Sequence, residues 1–291
     1  MLPAAVVASL LPHLDASARP RVVPLGSGTH RRLFKVETPA RSLFVKLGSA
    51  SALPELEAEA AGLEALREAA ALGVPAVVAC GATDAEAYLA IEWLDLVSPT
   101  PRAEERLGER LAAQHRRTGP WFGWWRDNTL GPTLQRNARH ASWTEFFREE
   151  RLAFQLRLAV ANGLPDRCRA LGERVLERLD QLLEGHAPAP SLLHGDLWGG
   201  NWGATRDEEP YVFDPAVYFG DREADIGMTR LFGGFGPAFR RAYEAAWPLE
   251  PGAEARMELY NCYHLLNHFN IFGAGYVRAL AAAFERVLAR C

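Results

Sequence analysis

The sequence predicts a two-lobed α+β protein, with a small β-rich lobe over residues 1–95 and a larger, mainly helical lobe over residues 96–291. Three observations predict it. A chain of 291 residues can bury a large core and divide it between two lobes. Short runs rich in β-branched and aromatic residues cluster ahead of residue 95. From about Leu96 the apolar residues instead recur at helical spacing. At 48% hydrophobic and 23% charged, the composition is that of an ordinary globular protein.

Residues 2–14 read as a short helix, and Arg21–Leu25 as a strand closed by Gly26-Ser27-Gly28-Thr29-His30. Leu33–Glu37 and Ser42–Leu47 read as two strands joined across Thr38-Pro39-Ala40-Arg41. A Gly-rich turn between strands lets backbone amides approach a phosphate, so Gly26 and Gly28 are candidate phosphate contacts; a simple hairpin is the other reading. No Gly-Lys-Ser/Thr follows, which excludes a Walker-type P-loop. The only lysines are Lys35 and Lys46. Lys46 ends the run Ser42-Leu43-Phe44-Val45-Lys46, whereas Lys35 lacks such a setting and is expected at the surface.

A helix is expected from Pro54, which suits a first helical position, to about Leu72. Leu56, Ala60, Leu63, Leu66 and Ala70 form its apolar face, with Glu57, Glu64 and Glu68 opposite. Glu59 falls on the apolar face, three residues after Leu56 and four before Leu63. A carboxylate there needs a cation, because an unpaired buried charge is costly, and Lys46 is the natural partner. Pro75–Cys80 and Ala87–Ile91 read as two more strands, leading to Glu92-Trp93-Leu94 between the lobes. The helical part begins with Ala103–Arg117, closed by Gly119-Pro120. Trp121–Gly131 reads as a loop, and Trp143–Ala161 and Asp166–Glu184 as long helices. The last long segment, Met257–Leu288, carries His264 and His268 at i, i+4 without an evident third ligand, which favours packing or hydrogen-bonding roles over metal.

The chemistry concentrates in Ser191–Trp202, SLLHGDLWGGNW. Asp196 is followed by Asn201, the spacing of the catalytic loop of phosphoryl-transferring kinases. There an Asp accepts the proton of the substrate hydroxyl and an Asn holds Mg²⁺. Downstream, the short strand Tyr211-Val212-Phe213 ends in Asp214-Pro215-Ala216. Kinases place a second metal-holding Asp at that point, usually in Asp-Phe-Gly. Pro215 fixes φ, which argues against a flipping switch segment but leaves Asp214 able to present a carboxylate. In the same reading Lys46, paired with Glu59, binds phosphates, and the backbone of Glu92 and Leu94 hydrogen-bonds adenine. Asp225 is a candidate anchor for the catalytic loop through its backbone amides.

With these motifs in hand, the chain resembles the fructosamine kinase (ketosamine kinase) family, which shares the fold of aminoglycoside phosphotransferases and, more distantly, of protein kinases. The resemblance rests on Leu192–Asn201, LLHGDLWGGN, and on Val212–Ala216. Phe232-Gly233-Gly234-Phe235, Leu266–His268 and Phe272–Tyr276 extend it, so that it runs from Leu25 to about Tyr276. Gly26-Ser27-Gly28 departs from it, since members often carry three glycines there. The resemblance implies a protein-kinase-like fold and an ATP- and Mg²⁺-dependent kinase of ketosamines, free or protein-bound. Phosphorylation of the sugar would make the adduct unstable and free the amine. Carried over by position, it implies Asp196 as base, Asn201 and Asp214 as metal ligands, Lys46 with Glu59 on the phosphates, and Glu92, Trp93 and Leu94 around adenine. Trp198 would stack on the substrate.

Two other readings stand beside this one. The first is a phosphotransferase for an aminoglycoside or amino alcohol. The second is a non-catalytic nucleotide-binding module. The net charge of −4, 32 basic against 36 acidic residues, argues against a broad nucleic-acid surface. No apolar run approaches the roughly 20 residues that span a bilayer. Met1–Leu14 lacks a basic region and carries Pro3, Pro12 and His13, unlike a signal peptide. A cytoplasmic protein is expected. Cys80, Cys168, Cys262 and Cys291 lie far apart, which argues against zinc or redox motifs. The sequence ranks neither the ketosamine sugar nor the oligomeric state.

Overall fold

In the computed structural model, which describes residues 1–14, 19–27 and 31–290, the chain opens with helix α1 (Ala4–Leu10). Strands β1 (Arg21–Ser27), β2 (Arg32–Glu37) and β3 (Ser42–Ser49) follow, then helix α2 (Leu53–Glu68) and strands β4 (Val77–Ala82) and β5 (Glu86–Glu92). The strands form one antiparallel sheet in the order β1-β2-β3-β5-β4.

Alternation along β3 decides where its chemistry points. Leu43, Val45 and Leu47 turn to the outer face, where Leu2, Val6 and Leu10 cover them. Phe44 and Lys46 therefore turn to the inner face. There Leu56, Ala60, Leu63 and Leu66 of α2 pack with Ala87, Leu89 and Ile91 of β5. Each fully buried Leu or Val contributes about 1.5–3 kcal/mol. A one-residue slip would lose three such burials and drive Lys46 into the apolar outer core, so the register is strongly specified. Helix α2 ends four residues short of the expected Leu72, because Ala70 takes φ 56°, outside helical geometry.

The remaining chain is mainly helical. Helix α3 (Pro101–His115) begins at Thr100, whose hydroxyl accepts the Ala103 N–H at 3.2 Å. A hairpin of β6 (Asn128–Leu130) and β7 (Thr133–Gln135) occupies the end of the stretch expected as loop. The expected helix Trp143–Ala161 is interrupted. It runs as α4 (Trp143–Phe146), a π-helical turn over Phe147–Leu152, and α5 (Ala153–Ala161). The wider turn carries Arg151 fully inward. The next expected helix divides into α6 (Asp166–Glu177) and α7 (Leu179–Leu182). Short strands β8 (Ser191–Leu193), β9 (Trp202–Ala204), β10 (Pro210–Val212) and β11 (Tyr218–Gly220) hold the central loops. Helices α8 (Arg222–Leu231), α9 (Pro237–Ala246), α10 (Ala253–Phe272) and α11 (Val277–Leu288) complete the chain. The break after Phe272 falls at Gly273, with φ 78°.

Backbone bonds tie the sheet region to the helical region on two sides. Val97 N–H donates to Ala204 O at 2.8 Å, and Val212 N–H to Gly73 O at 2.9 Å. Among the described residues, no helix is long and apolar enough to cross a membrane.

Candidate active site

Strand β8 leads into the central loop through Leu192 and Leu193, both buried, and pairs with β11 on its far side. Gly195 takes φ 81°, and a Cβ there would lie 2.0 Å from Ala216 O, so only glycine fits the turn. The Asp225 carboxylate accepts both turn amides, from His194 N–H at 2.7 Å and Gly195 N–H at 2.9 Å. His115 supports Asp225 from behind, with Nε2 at 3.2 Å and Nδ1 2.8 Å from the Tyr243 hydroxyl. Burial opposes the charge on Asp225, but the His115 bond and charge, His194 and the Gly195 amide hold its carboxyl below the usual range.

This anchored loop presents Asp196. Burial and the charge of Asp214 lift its carboxyl to about 7, against the opposing bond from Asn201. A carboxylate poised near neutrality is suited to taking a proton at ordinary pH. His194 is not a rival base. Its Nδ1 accepts the Asp196 N–H at 3.3 Å and its Nε2–H donates to Phe213 O at 3.0 Å. Burial pushes its pKa down, so the ring is a neutral spacer between the two loops.

Asn201 turns back on the loop. Its Nδ2 donates to Asp196 O at 2.9 Å and Asp196 Oδ2 at 3.1 Å, which leaves Oδ1 as the atom it can offer to a cation. Asp214 follows β10 with φ 55°. The Lys46 ammonium sits between two carboxylates, 2.5 Å from Asp214 Oδ1 and 2.7 Å from Glu59 Oε1. Burial works against the charge on Lys46, but these carboxylates raise its pKa overall. Burial likewise lifts Glu59, and Lys46 offsets it. The ion pair that the position of Glu59 calls for is thus present, and Asp214 shares it. The donor set also fits a hard divalent cation: an amide oxygen on Asn201 and a half-exposed carboxylate on Asp214, both oxygen ligands.

Two hollows meet at Phe44 and Asp214. One, of about 1050 Å³, is walled by Glu92–Val97 with Phe44, Ile91, Tyr211 and Phe213. The Trp93 N–H donates to Ser42 O at 3.3 Å, and its indole Nε1–H to Asp95 Oδ1 at 2.8 Å. Its ring lies against Phe44, with Lys35 Nζ over it, 4.6 Å from the ring centroid. Trp93 therefore shapes the rim through its side chain, while Glu92 and Leu94 border the cavity. The second hollow holds Lys46, Glu59, Asp196, Trp198, Asn201 and Asp214, facing the hairpin Asn128–Pro132 and His268–Phe272 of α10. Trp198 is 41% exposed at its mouth. Its ring lies over Gly200, where a Cβ would come within 2.3 Å of it.

Gly26 sits at a bulge in β1, exposed, with φ 112°. Gly28 lies outside the described residues. On that side the cleft wall includes Arg31 and Leu33. His264 and His268 do not face each other as ligands: the His268 Nδ1–H donates to the main-chain carbonyl of His264 at 2.8 Å. Burial pushes the His264 pKa down to about 3. The sequence reading missed His115 and the β6–β7 hairpin. The Gly131-Pro132 turn between Asn128-Thr129-Leu130 and Thr133-Leu134-Gln135 is a signal that could have found the hairpin.

Residues 12–290 match the fructosamine kinase family. A probable ketoamine kinase of Synechocystis is 44% identical over 236 residues, 80% of this chain and 78% of its own length. A chloroplastic protein-ribulosamine 3-kinase of Arabidopsis thaliana is 37% identical over 88% of this chain and 79% of its own. Among solved structures, a putative fructosamine-3-kinase from Thermobifida fusca superposes with TM-score 0.87 at 35% identity, covering 99% of this chain and 100% of that one.

Proposed function

The chain belongs to the fructosamine kinase family, and on that premise we propose that it transfers the γ-phosphoryl group of ATP to a sugar hydroxyl of a ketosamine. One observation carries the assignment of roles. Asp196, Asn201 and the Lys46–Glu59 pair converge in one hollow on Asp214, which also borders the other. Residues 1–95 then serve as the nucleotide-binding lobe and residues 96–291 as the catalytic and acceptor-binding lobe.

In this mechanism adenine lies in the hollow bordered by Glu92, Trp93 and Leu94, and the phosphates run past Lys46 to Asp214. The acceptor hydroxyl lies against Asp196. Its oxygen forms the new bond to the γ-phosphorus as the bond to the β-phosphate oxygen breaks, and its proton passes to Asp196. ADP and a phosphorylated sugar leave. Asn201 and Asp214 would hold Mg²⁺, which when bound neutralises charge on the phosphates. Catalysis then rests on positioning and preorganised charge. Phosphorylation makes the sugar adduct unstable, so the amine is released. We place the reaction in the cytoplasm, where Cys80, Cys168 and Cys262 would persist as the free thiols they are.

The test is ADP release from ATP and Mg²⁺ against ribulosyl-lysine, fructosyl-lysine, an aminoglycoside and choline, with Asp196→Asn as blank. Turnover on a ketosamine alone is expected, and the rates rank the sugar. Turnover only on another acceptor overturns the substrate class, and nucleotide binding without any turnover supports a non-catalytic module instead. Trp198 is assigned to the acceptor, and Gly200→Ala tests this. A methyl under the indole must displace the ring. The Michaelis constant for the ketosamine is expected to rise while that for ATP stays fixed. Equal changes in both constants would remove Trp198 from the acceptor site.

A further inference from the structure

Asp214 is one of three non-glycine residues with positive φ among the described residues, and it precedes a proline. An L-residue keeps such a backbone only where its surroundings over-determine it. The loops already described hold its N-terminal side. Phe213 N–H donates to Asn201 O at 3.0 Å, and His194 Nε2–H donates to Phe213 O at 3.0 Å. On the C-terminal side, Ala216 N–H donates to His194 O at 2.9 Å. Two buried side-chain amides complete that side. Gln135 Nε2 donates to Ala216 O at 2.9 Å, and Asn128 Nδ2 to Val217 O at 2.8 Å.

We infer that Asn128 and Gln135, on the β6–β7 hairpin, are positioning residues that hold the Asp214 carboxylate in metal-binding geometry from the acceptor side of the cleft. The inference rests on the reading above, in which Asp214 is a metal ligand.

The direction of the hydrogen bonds supports it. Arg151 can only donate, and its Nη2 donates to Asn137 Oδ1 at 2.7 Å. This leaves Asn137 Nδ2 to donate to Asn128 Oδ1 at 3.0 Å. Asn128 must then turn its own Nδ2 toward Val217 O. Gln135 is fixed from its other end: Ala216 O can only accept, so Nε2 must face it, which leaves Oε1 to accept the Tyr263 hydroxyl at 2.8 Å. Gln135 Nε2 also donates to Asn128 Oδ1 at 2.8 Å, locking the two amides together. Arg151, Gln135, Asn137 and Tyr263 are each no more than 2% exposed, so water does not compete for these bonds. A reversed amide anywhere in the chain would face donor to donor or oxygen to oxygen. The chain therefore ends on two carbonyls just beyond Asp214, with one orientation allowed. Its hairpin also walls the acceptor hollow through Asn128–Pro132.

The experiment is calorimetric titration of Mn²⁺ into the ADP-saturated full-length protein, with ADP binding in metal-free buffer measured in parallel. Asp214→Asn tests the reading on which the inference rests: it should abolish Mn²⁺ binding that the wild type shows. Failure there sinks the metal assignment itself. Given success, Gln135→Met, which keeps the volume but removes the donor, is expected to weaken Mn²⁺ binding about 10–100-fold. Metal-free ADP affinity should be unchanged. Tyr263→Phe is the milder second variant, removing only the hydroxyl that satisfies Gln135 Oε1, and should shift Mn²⁺ affinity less but in the same direction. Val175→Ala, in the α6 core, reports a purely structural loss and should leave Mn²⁺ affinity intact. Unchanged Mn²⁺ affinity in Gln135→Met, or an equal loss of metal-free ADP binding, would overturn the inference.

Discussion

Asp196→Asn is expected to lower kcat by about 10²–10⁴-fold, the usual contribution of a positioned general base. The metal–nucleotide dissociation constant should remain at the wild-type value. The size of the effect follows from the absence of a substitute within the loop. His194 has both ring nitrogens committed, one to the Asp196 amide and one to Phe213 O, and it is neutral. The Asp225 carboxylate carries the two turn amides and His115. Asp214 is paired with Lys46. Asp196 has a carboxyl raised to about 7 in the hollow assigned to the acceptor, and Glu59, the other raised carboxyl there, is paired with Lys46. The substitution preserves volume, so nucleotide binding serves as an internal control on folding. Near-wild-type turnover would remove Asp196 as the proton acceptor.

Why one part of this site was legible in the sequence and another was not has a physical basis. Asp196 and Asn201 sit on one short loop, so the spacing of the chemistry is a spacing along the chain. Glu59 was legible for a different reason. Helical periodicity placed a carboxylate on an apolar face, which calls for a cation, and a chain with two lysines offers few choices. His115, Asn128, Gln135 and Arg151 had no such signal. The first three act through tertiary contacts to residues 81 to 128 positions away, such as Gln135 to Ala216 and to Tyr263, and Arg151 acts on Asn137 across a turn of the chain. A side-chain amide looks the same in sequence whether it is buried against a loop or faces solvent. The π-helical turn was hidden for a related reason. Phe147–Leu152 reads as helix by pattern, and the wider turn goes with a tertiary contact, Arg151 over Tyr218 at 4.0 Å from the ring centroid.

Lys46→Met is expected to lower kcat/KM for ATP by about 10²–10³-fold, as removal of one preorganised charge-stabilising donor does. It should also destabilise the fold, because the ammonium it removes is shared by Glu59 and Asp214. Loss of one partner of a buried ion pair costs about 3–5 kcal/mol. The lower end applies here. Asp214 is 47% exposed and can turn to water, and burial already favours protonation of Glu59. Chemistry and stability separate in a double substitution. Adding Glu59→Gln to Lys46→Met removes the orphaned buried charge, so unfolding in denaturant should recover much of the lost stability. Catalysis should not recover, because no cation returns to the phosphates. If the double variant instead regained activity along with stability, Lys46 would be a strut for α2, and the phosphates would have to be held by another cation of the cleft, with Arg31 on its wall the first to test.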